Sequence, residues 1–259
     1  MPTRASSVRA LLRLSAIAGW TVILTAVLGA GWLLSAASVA GRSRWRRIMV
    51  RRWARDCAAI LGMAREVSGS AEGAPALLVA NHLSYLDVLL LAGELPAIFV
   101  AKREVRGWPG VGPLAGLVGT IFVDRESPRD LVRVSDVIEA ALAGGDTVVL
   151  FAEGTSTRGD RVLPLKPGLL EPAARGRWPV RYATVSYVTP PDQPPADVAL
   201  CWWGDMTFLP HLVGVARLTR FTGLVAFGAE AVRADDRKVL AAALHAALEK
   251  EFTPVGASA

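Results

Sequence analysis

Only two cysteines and three histidines occur among 259 residues, and no acidic residue precedes Asp56. Cys57 and Cys201 stand far apart in unlike sequence surroundings, which excludes a disulfide framework and a zinc-knuckle spacing and favours a reduced compartment. Three dispersed histidines make no recognisable transition-metal set, so no metal is expected; His211 and His245 read as structural or solvent-facing. No P-loop and no internal repeat occur. With 52% of residues apolar, disorder and collagen-like repetition are excluded as well, and the chain can bury a sizeable core.

The formal charge of +6 is unevenly placed: ten arginines come before the first acid, and the remainder carries 19 basic against 23 acidic residues. A nucleic-acid reader spreads basic groups over a folded face, whereas this excess borders an apolar stretch, so no nucleic-acid partner is expected. The anionic partner that fits is a membrane surface. Leu14 to Ala40 holds no charged residue over 27 positions, more than the roughly 20 needed to cross a bilayer core. A secretory signal competes, with Arg4, Arg9 and Arg13 ahead of the run and Ser38-Val39-Ala40 as a small-residue site, but the run exceeds a signal core and arginines crowd after it. Those later arginines outweigh the three before the run, so a true span leaves the C-terminal portion in the cytosol and places the protein at the cell membrane.

Trp45, Ile48, Met49, Trp53, Cys57, Ile60, Leu61 and Ala64 follow at helical spacing, with arginine on the opposite face. Two readings stand: a helix in the membrane interface whose arginines reach lipid phosphates, or an amphipathic helix packed on the following domain. Residues 1–67 are accordingly expected to be a membrane-anchoring helical segment and 68–259 a single catalytic domain. In the latter, strand-length apolar runs cover Ala76–Ala80, Ala97–Ala101, Thr120–Val123, Thr147–Phe151, Val180–Val188, Val198–Trp202 and Leu224–Gly228. Helical periodicity covers Pro128–Leu142, Phe208–Leu218 and Asp235–Glu251. This alternation predicts an α/β fold with a central mixed sheet flanked by helices.

Asn81-His82-Leu83-Ser84-Tyr85-Leu86-Asp87 lies where the first of these strands ends and a leucine-rich helix begins. On one continuous helix His82 and Asp87 would not face each other, but a loop-to-helix junction brings them together. Ser84, three residues before Asp87, resembles an N-cap, and Asp87 in the first turn is favoured by the helix dipole. A carboxylate held against the imidazole fixes its tautomer and leaves the other nitrogen free to take a proton from an alcohol: a base without a built-in nucleophile.

Asn81-His82-x-Ser84-x-x-Asp87 resembles the first block of the glycerolipid and lysophospholipid acyltransferases, the 1-acylglycerol-3-phosphate acyltransferase family. Lys102-Arg103-Glu104-Val105 with Gly110, Gly119, Ile121, Phe122, Asp124 and Arg125 resembles the second block, and Phe151-Ala152-Glu153-Gly154-Thr155 the third. The resemblance implies that His82, oriented by Asp87, deprotonates the hydroxyl of a lysolipid acceptor, which attacks the thioester of acyl coenzyme A or acyl carrier protein. The donor is then a substrate, with no bound cofactor. It also assigns acceptor-head binding to Lys102, Arg103, Arg125, Glu153, Gly154 and Thr155.

Two departures bear on the acceptor. Ala152 stands at a common proline position, and Ser156 where arginine is frequent; Arg158, two residues on, is a substitute able to hold phosphate. Arg161 to Lys166 and Trp202 to Phe208 resemble the lyso-ornithine-lipid acyltransferase branch. The acceptor expected first is 1-acyl-glycerol-3-phosphate, giving phosphatidic acid; the alternatives are lyso-ornithine lipid and, in another class, a noncatalytic lipid-binding protein. A hydrolase is the enzymatic competitor, weakened because Gly154-Thr155-Ser156-Thr157-Arg158 ends in arginine where a nucleophile elbow needs glycine. Gly107–Gly119, with Trp108, Leu114 and Leu117, reads equally as an acyl-chain groove or as core.

Overall fold

The computed structural model describes residues 3–34, 38–70, 76–108, 110–124 and 127–256. Two long helices come first, α1 (Arg4–Leu34) and α2 (Val39–Leu61), followed by β1 (Met63–Ser68). Then come β2 (Leu77–Ala80), α3 (Leu86–Glu94), β3 (Ala97–Lys102), α4 (Val111–Leu117), β4 (Ile121–Val123), α5 (Pro128–Ala143) and β5 (Thr147–Phe151). The last part holds α6 (Glu171–Arg175), β6 (Val180–Val188), α7 (Ala196–Ala199), α8 (Phe208–Arg217), β7 (Phe221–Phe227) and α9 (Arg237–Glu251).

The seven strands form one sheet in the order β1-β7-β6-β2-β5-β3-β4. The pairing is parallel except between β6 and β7, so β1 and β7 run opposite to the other five. This is the mixed sheet flanked by helices that the alternating pattern predicts. Because neighbouring side chains along a strand point to opposite faces, two apolar layers form. Leu78, Ala80, Val149, Phe151, Val185 and Tyr187 pack toward α2, α3 and α8. Leu77, Val79, Val148, Leu150 and Tyr182 pack on the other face with Ile138 of α5 and Leu240 and Leu244 of α9.

Two expectations are corrected. Val198–Trp202 is not a strand: Ala196–Ala199 is a single helical turn started by Pro195, and Leu200 and Cys201 beyond it are buried in the core. A short apolar run is equally compatible with a buried strand and a buried turn. Second, the helical spacing expected to run on to Ala64 stops earlier: Met63–Ser68 is a strand that pairs along its whole length with β7. Gly62, with φ 82° in the left-handed region that favours glycine, ends α2 and releases this strand.

Six arginines of α1 and α2, Arg9, Arg13, Arg46, Arg47, Arg51 and Arg55, are turned toward the globular part and meet the C-terminal ends of four helices. Arg51 Nε and Arg55 Nε donate to the Gly93 carbonyl of α3 at 3.1 and 2.6 Å. Arg46 donates to Val118 O at the end of α4 (2.9 Å), and Arg47 to Gly144 O at the end of α5 (3.2 Å). At the end of α8, Arg9 donates to Arg217 O (2.8 Å) and Arg13 to Leu218 O (2.6 Å). Cations here match the negative ends of the helix dipoles and satisfy carbonyls that helices leave open. Arg46 also pairs with buried Asp146 at 2.5 Å. The packed reading of this segment therefore describes Arg46, Arg47, Arg51 and Arg55, in correction of arginines reaching lipid phosphate. The outer side of α1 stays apolar and exposed at Val8, Leu11, Leu12, Val22 and Ile23.

Candidate active site

The site sits at the carboxyl ends of the parallel strands β2 and β5, the edge where α/β sheets expose chemistry. The ladder between β2 and β6 ends at the pair Ala80 and Ala183. One residue on, the buried Asn81 side chain continues the ladder in place of a peptide: its Nδ2 donates to Val185 O (2.9 Å) and its Oδ1 accepts from Val185 N–H (2.7 Å). The chain is thereby fastened to the sheet as it turns away, and the loop Asn81–Tyr85 leads into α3.

Asp87, fully buried in the first turn of α3, organises that loop. Its Oδ2 lies 2.7 Å from His82 Nδ1 and accepts from the N–H groups of Leu83 and Ser84 at 2.8 and 3.0 Å. Its Oδ1 accepts from the Tyr187 hydroxyl at 2.7 Å. Four donors thus converge on one carboxylate at a helix N-terminus, and together they fix its orientation. The expected N-cap is corrected here: Ser84 Oγ makes no hydrogen bond, and the acid reaches back to the loop amides itself. A serine hydroxyl and an aspartate both satisfy helix-start amides, and the larger side chain, one turn in, takes them.

A carboxylate only accepts, so His82 carries its proton on Nδ1 and presents a lone pair on Nε2. The ring is stacked on Phe151 at 4.1 Å between centroids and 19° between planes. His82 retains 21% side-chain exposure against 0% for Asp87, so the imidazole is reachable and the carboxylate that holds it is not.

The backbone of His82 is held from the other side by the segment after β5. Glu153 Oε1 accepts from His82 N–H (2.7 Å), Oε2 accepts from Leu163 N–H (2.8 Å), and Thr157 N–H donates to His82 O (2.9 Å). Burial pushes the Glu153 carboxyl up to about 7, against the opposing pull of its two backbone donors. Gly154 follows at φ 81°, with its N–H bonded to Phe151 O in a tight turn that a side chain would strain. The third block is thus joined to the first through a buried carboxylate, a link the sequence pattern does not reveal.

The other expected binding residues are more dispersed. Thr155 is exposed beside Gly154. Lys102 and Arg103 stand where β3 ends, on the same sheet edge; Arg103 is 72% exposed and 3.2 Å from Asp124. Arg125 lies outside the described residues. Arg158 donates through Nε and a terminal nitrogen to Asp197 at 2.8 and 2.6 Å, and its guanidinium lies 5.8 Å from the Trp203 ring centre. Its charge is thereby matched within the chain.

An aromatic group whose convergence the sequence does not show completes the surroundings. Tyr85, Trp108, Trp202, Phe208 and His211 form an aromatic cluster with centroids 5.0 to 6.3 Å apart. His211 Nε2 donates to Cys201 O at 3.2 Å, so its Nδ1 accepts from the Tyr85 hydroxyl at 2.9 Å. Burial pushes the Tyr85 hydroxyl up and the His211 imidazole down, which keeps both neutral. Trp202 N–H donates to Leu83 O at 2.7 Å, docking this cluster on the His82 loop. Of Gly107–Gly119, Trp108 joins the aromatics, whereas Leu114 and Leu117 line an apolar cleft with Leu24 and Leu28 of α1 and Trp53 of α2.

No serine or cysteine hydrogen-bonds to His82 among the described residues. Ser156 Oγ donates to Trp202 O, and burial pushes the Cys57 thiol up to about 12 and Cys201 higher still. No three His, Cys, Asp or Glu side chains converge to hold a metal among the described residues.

Residues 64–188 match the acyltransferase family model. A lyso-ornithine lipid O-acyltransferase of Rhizobium meliloti is 37% identical over 66% of this chain and 63% of its own length. One of Brucella abortus is 35% identical over 77% of this chain and 80% of its own. The crystal structure of the 1-acyl-sn-glycerophosphate acyltransferase PlsC from Thermotoga maritima superposes with a TM-score of 0.63, covering 93% of this chain and 97% of that one at 20% identity, which shows the shared fold. A buried carboxylate holding an accessible imidazole on this sheet edge, together with these likenesses, places the chain in the acyltransferase family.

Proposed function

We propose that this acyltransferase is a membrane-associated lysolipid O-acyltransferase, moving a fatty acyl group from acyl coenzyme A or acyl carrier protein to the free hydroxyl of 1-acyl-glycerol-3-phosphate and giving phosphatidic acid. The observation that carries the reading is the His82–Asp87 pair at 2.7 Å on a partly exposed imidazole, with no serine or cysteine bonded to that ring among the described residues. Nε2 takes the proton of the acceptor hydroxyl as its oxygen bonds to the thioester carbonyl carbon. The tetrahedral intermediate collapses by breaking the carbon–sulfur bond, and the leaving thiolate receives the proton from His82. A thioester is already activated, so positioning two amphiphiles and relaying one proton supplies the catalysis. Lys102, Arg103, Arg125, Glu153, Gly154, Thr155 and Arg158 are the acceptor-side residues in this proposal; Glu153 acts by holding the His82 backbone.

The exposed apolar side of α1 suits the acyl region of a membrane. Arg9 and Arg13 tie one part of α1 to α8, while Leu24 and Leu28 face the cleft beside α4, so the helix lies along the domain. That arrangement favours a monotopic seat over a span, with the domain on the cytosolic side.

A second acceptor, lyso-ornithine lipid, is favoured by one observation: the Arg158 charge is already matched by Asp197, which suits a zwitterionic head better than a phosphate. The purified protein in mixed micelles, given acyl coenzyme A and either lysolipid, should release thiol only when an acceptor is present, and His82→Ala should abolish the release. Equal release without acceptor makes the protein a thioesterase; binding of both lipids without turnover for any donor makes it a binding module. The ratio of the two acceptor rates decides between phosphatidic acid and ornithine lipid as product.

A further inference from the structure

Beyond Ala183 the strand β6 has no ladder partner on its β2 side, and that stretch serves the His82 loop instead: the Val185 backbone holds Asn81 and the Tyr187 side chain holds Asp87. Ala183, Val185 and Tyr187 share one face by strand alternation. Tyr187 is wholly buried, and its hydroxyl ends on Asp87 Oδ1, the oxygen not used by His82. A buried phenol needs an acceptor, and this one has the orienting acid of the proposed base.

We infer that Tyr187 is a positioning residue of the acyl-transfer reaction: its hydroxyl fixes the rotation of the Asp87 carboxylate and, by drawing charge toward Oδ1, sets how strongly Oδ2 stabilises protonated His82. Leu83 and Ser84 amides occupy the Oδ2 side together with His82. Tyr187 is the side-chain donor to Oδ1, so it supplies the restraint about the Cβ–Cγ axis that those bonds leave soft. The phenol stays protonated throughout, since burial and the neighbouring carboxylate hold it well above the ordinary tyrosine range. The other titratable groups near this pair are Glu153, Cys201 and Tyr85, of which only Glu153 changes charge around neutrality.

The inference rests on the reading of His82 and Asp87 as the catalytic pair, and the experiment separates the two. Tyr187→Phe removes one oxygen and keeps the ring. The plateau kcat should fall about tenfold with acceptor KM unchanged, and the acid limb of kcat/KM should move up by roughly half a pH unit, because Oδ2 now carries more charge toward His82. Site-specific 3-fluorotyrosine at 187 retains ring and hydroxyl, sharpens the donor and keeps the packing; it should move the same limb down. A limb and kcat unchanged in the fluorotyrosine protein and in folded Tyr187→Phe overturn the inference while leaving the pair intact. Full activity of His82→Ala in the same assay overturns the underlying reading instead.

Discussion

Glu153 and His82, 71 positions apart in sequence, are joined by a buried hydrogen bond from the His82 N–H to a carboxylate that also receives Leu163 N–H. Its pKa is raised from an ordinary 4.5 to about 7, so between those values the folded protein holds a proton that the unfolded chain has released. Stability contributed by this group is therefore greatest below pH 4.5 and falls as pH rises through about 7. Glu153→Gln cannot titrate, so its unfolding free energy, followed by denaturant melts across that window, should fall less with pH than that of the parent protein. The amide turns one N–H donor toward another, so a loss of roughly 1–3 kcal/mol is expected at acid pH, shrinking as the parent's own stability falls toward neutrality.

Asp87→Asn should lower kcat by about 10²–10⁴-fold, because a neutral amide no longer stabilises the imidazolium and its NH2, turned toward Nδ1, imposes the wrong tautomer. His82→Ala should cost a similar factor, and the double variant no more than the worse single one, since the two act as a unit. Steady-state thiol release measures all three; additive losses would contradict a dyad.

Arg46→Ala leaves Asp146, with a side chain 7% exposed, facing only Arg47 at 3.5 Å. Removing one member of a buried pair should destabilise the protein by about 3 kcal/mol, and lysine should restore only part because it cannot reach Val118 O and Asp146 together. Denaturant midpoints check this. A variant as stable as the parent would mean that apolar contacts alone hold α2 in place.

Flotation with lipid vesicles should depend on α1 more than on salt. Leu11 and Leu12 are 67% and 65% exposed, and replacing both with serine should weaken partitioning by several kcal/mol at about 2 kcal/mol for each buried leucine. High salt should change partitioning little, because Arg46, Arg47, Arg51 and Arg55 are already engaged by protein carbonyls and carboxylates. Release by salt alone would reverse this assignment.

The sequence makes His82 and Asp87 legible because a strand end, a loop and a leucine-rich helix leave few geometries for an x4 spacing. Thr147–Phe151 and Val180–Val188 match β5 and β6 residue for residue, since runs of strand length rich in Val, Tyr and Thr suit buried strands. Tyr187 is hidden within such a run, where nothing local distinguishes a packing aromatic from one aimed at an acid. β1 is hidden for another reason: Met63 and Ala64 extend the helical spacing of α2, and only Gly62 signals the stop. The inward aim of these α2 arginines depends on three helix ends that sequence periodicity does not place.

The partner of β1 is the last strand of the sheet, with Met63 opposite Phe221 and Ser68 opposite Ala226. On the ribosome, residues 63–68 must therefore wait until β7 has emerged before their hydrogen bonds can close, and such distant pairing is slow. The leading helical hairpin has meanwhile emerged with its greasy side bare. Completion of the sheet is thus a late event, and β1 stays without its ladder until β7 is made.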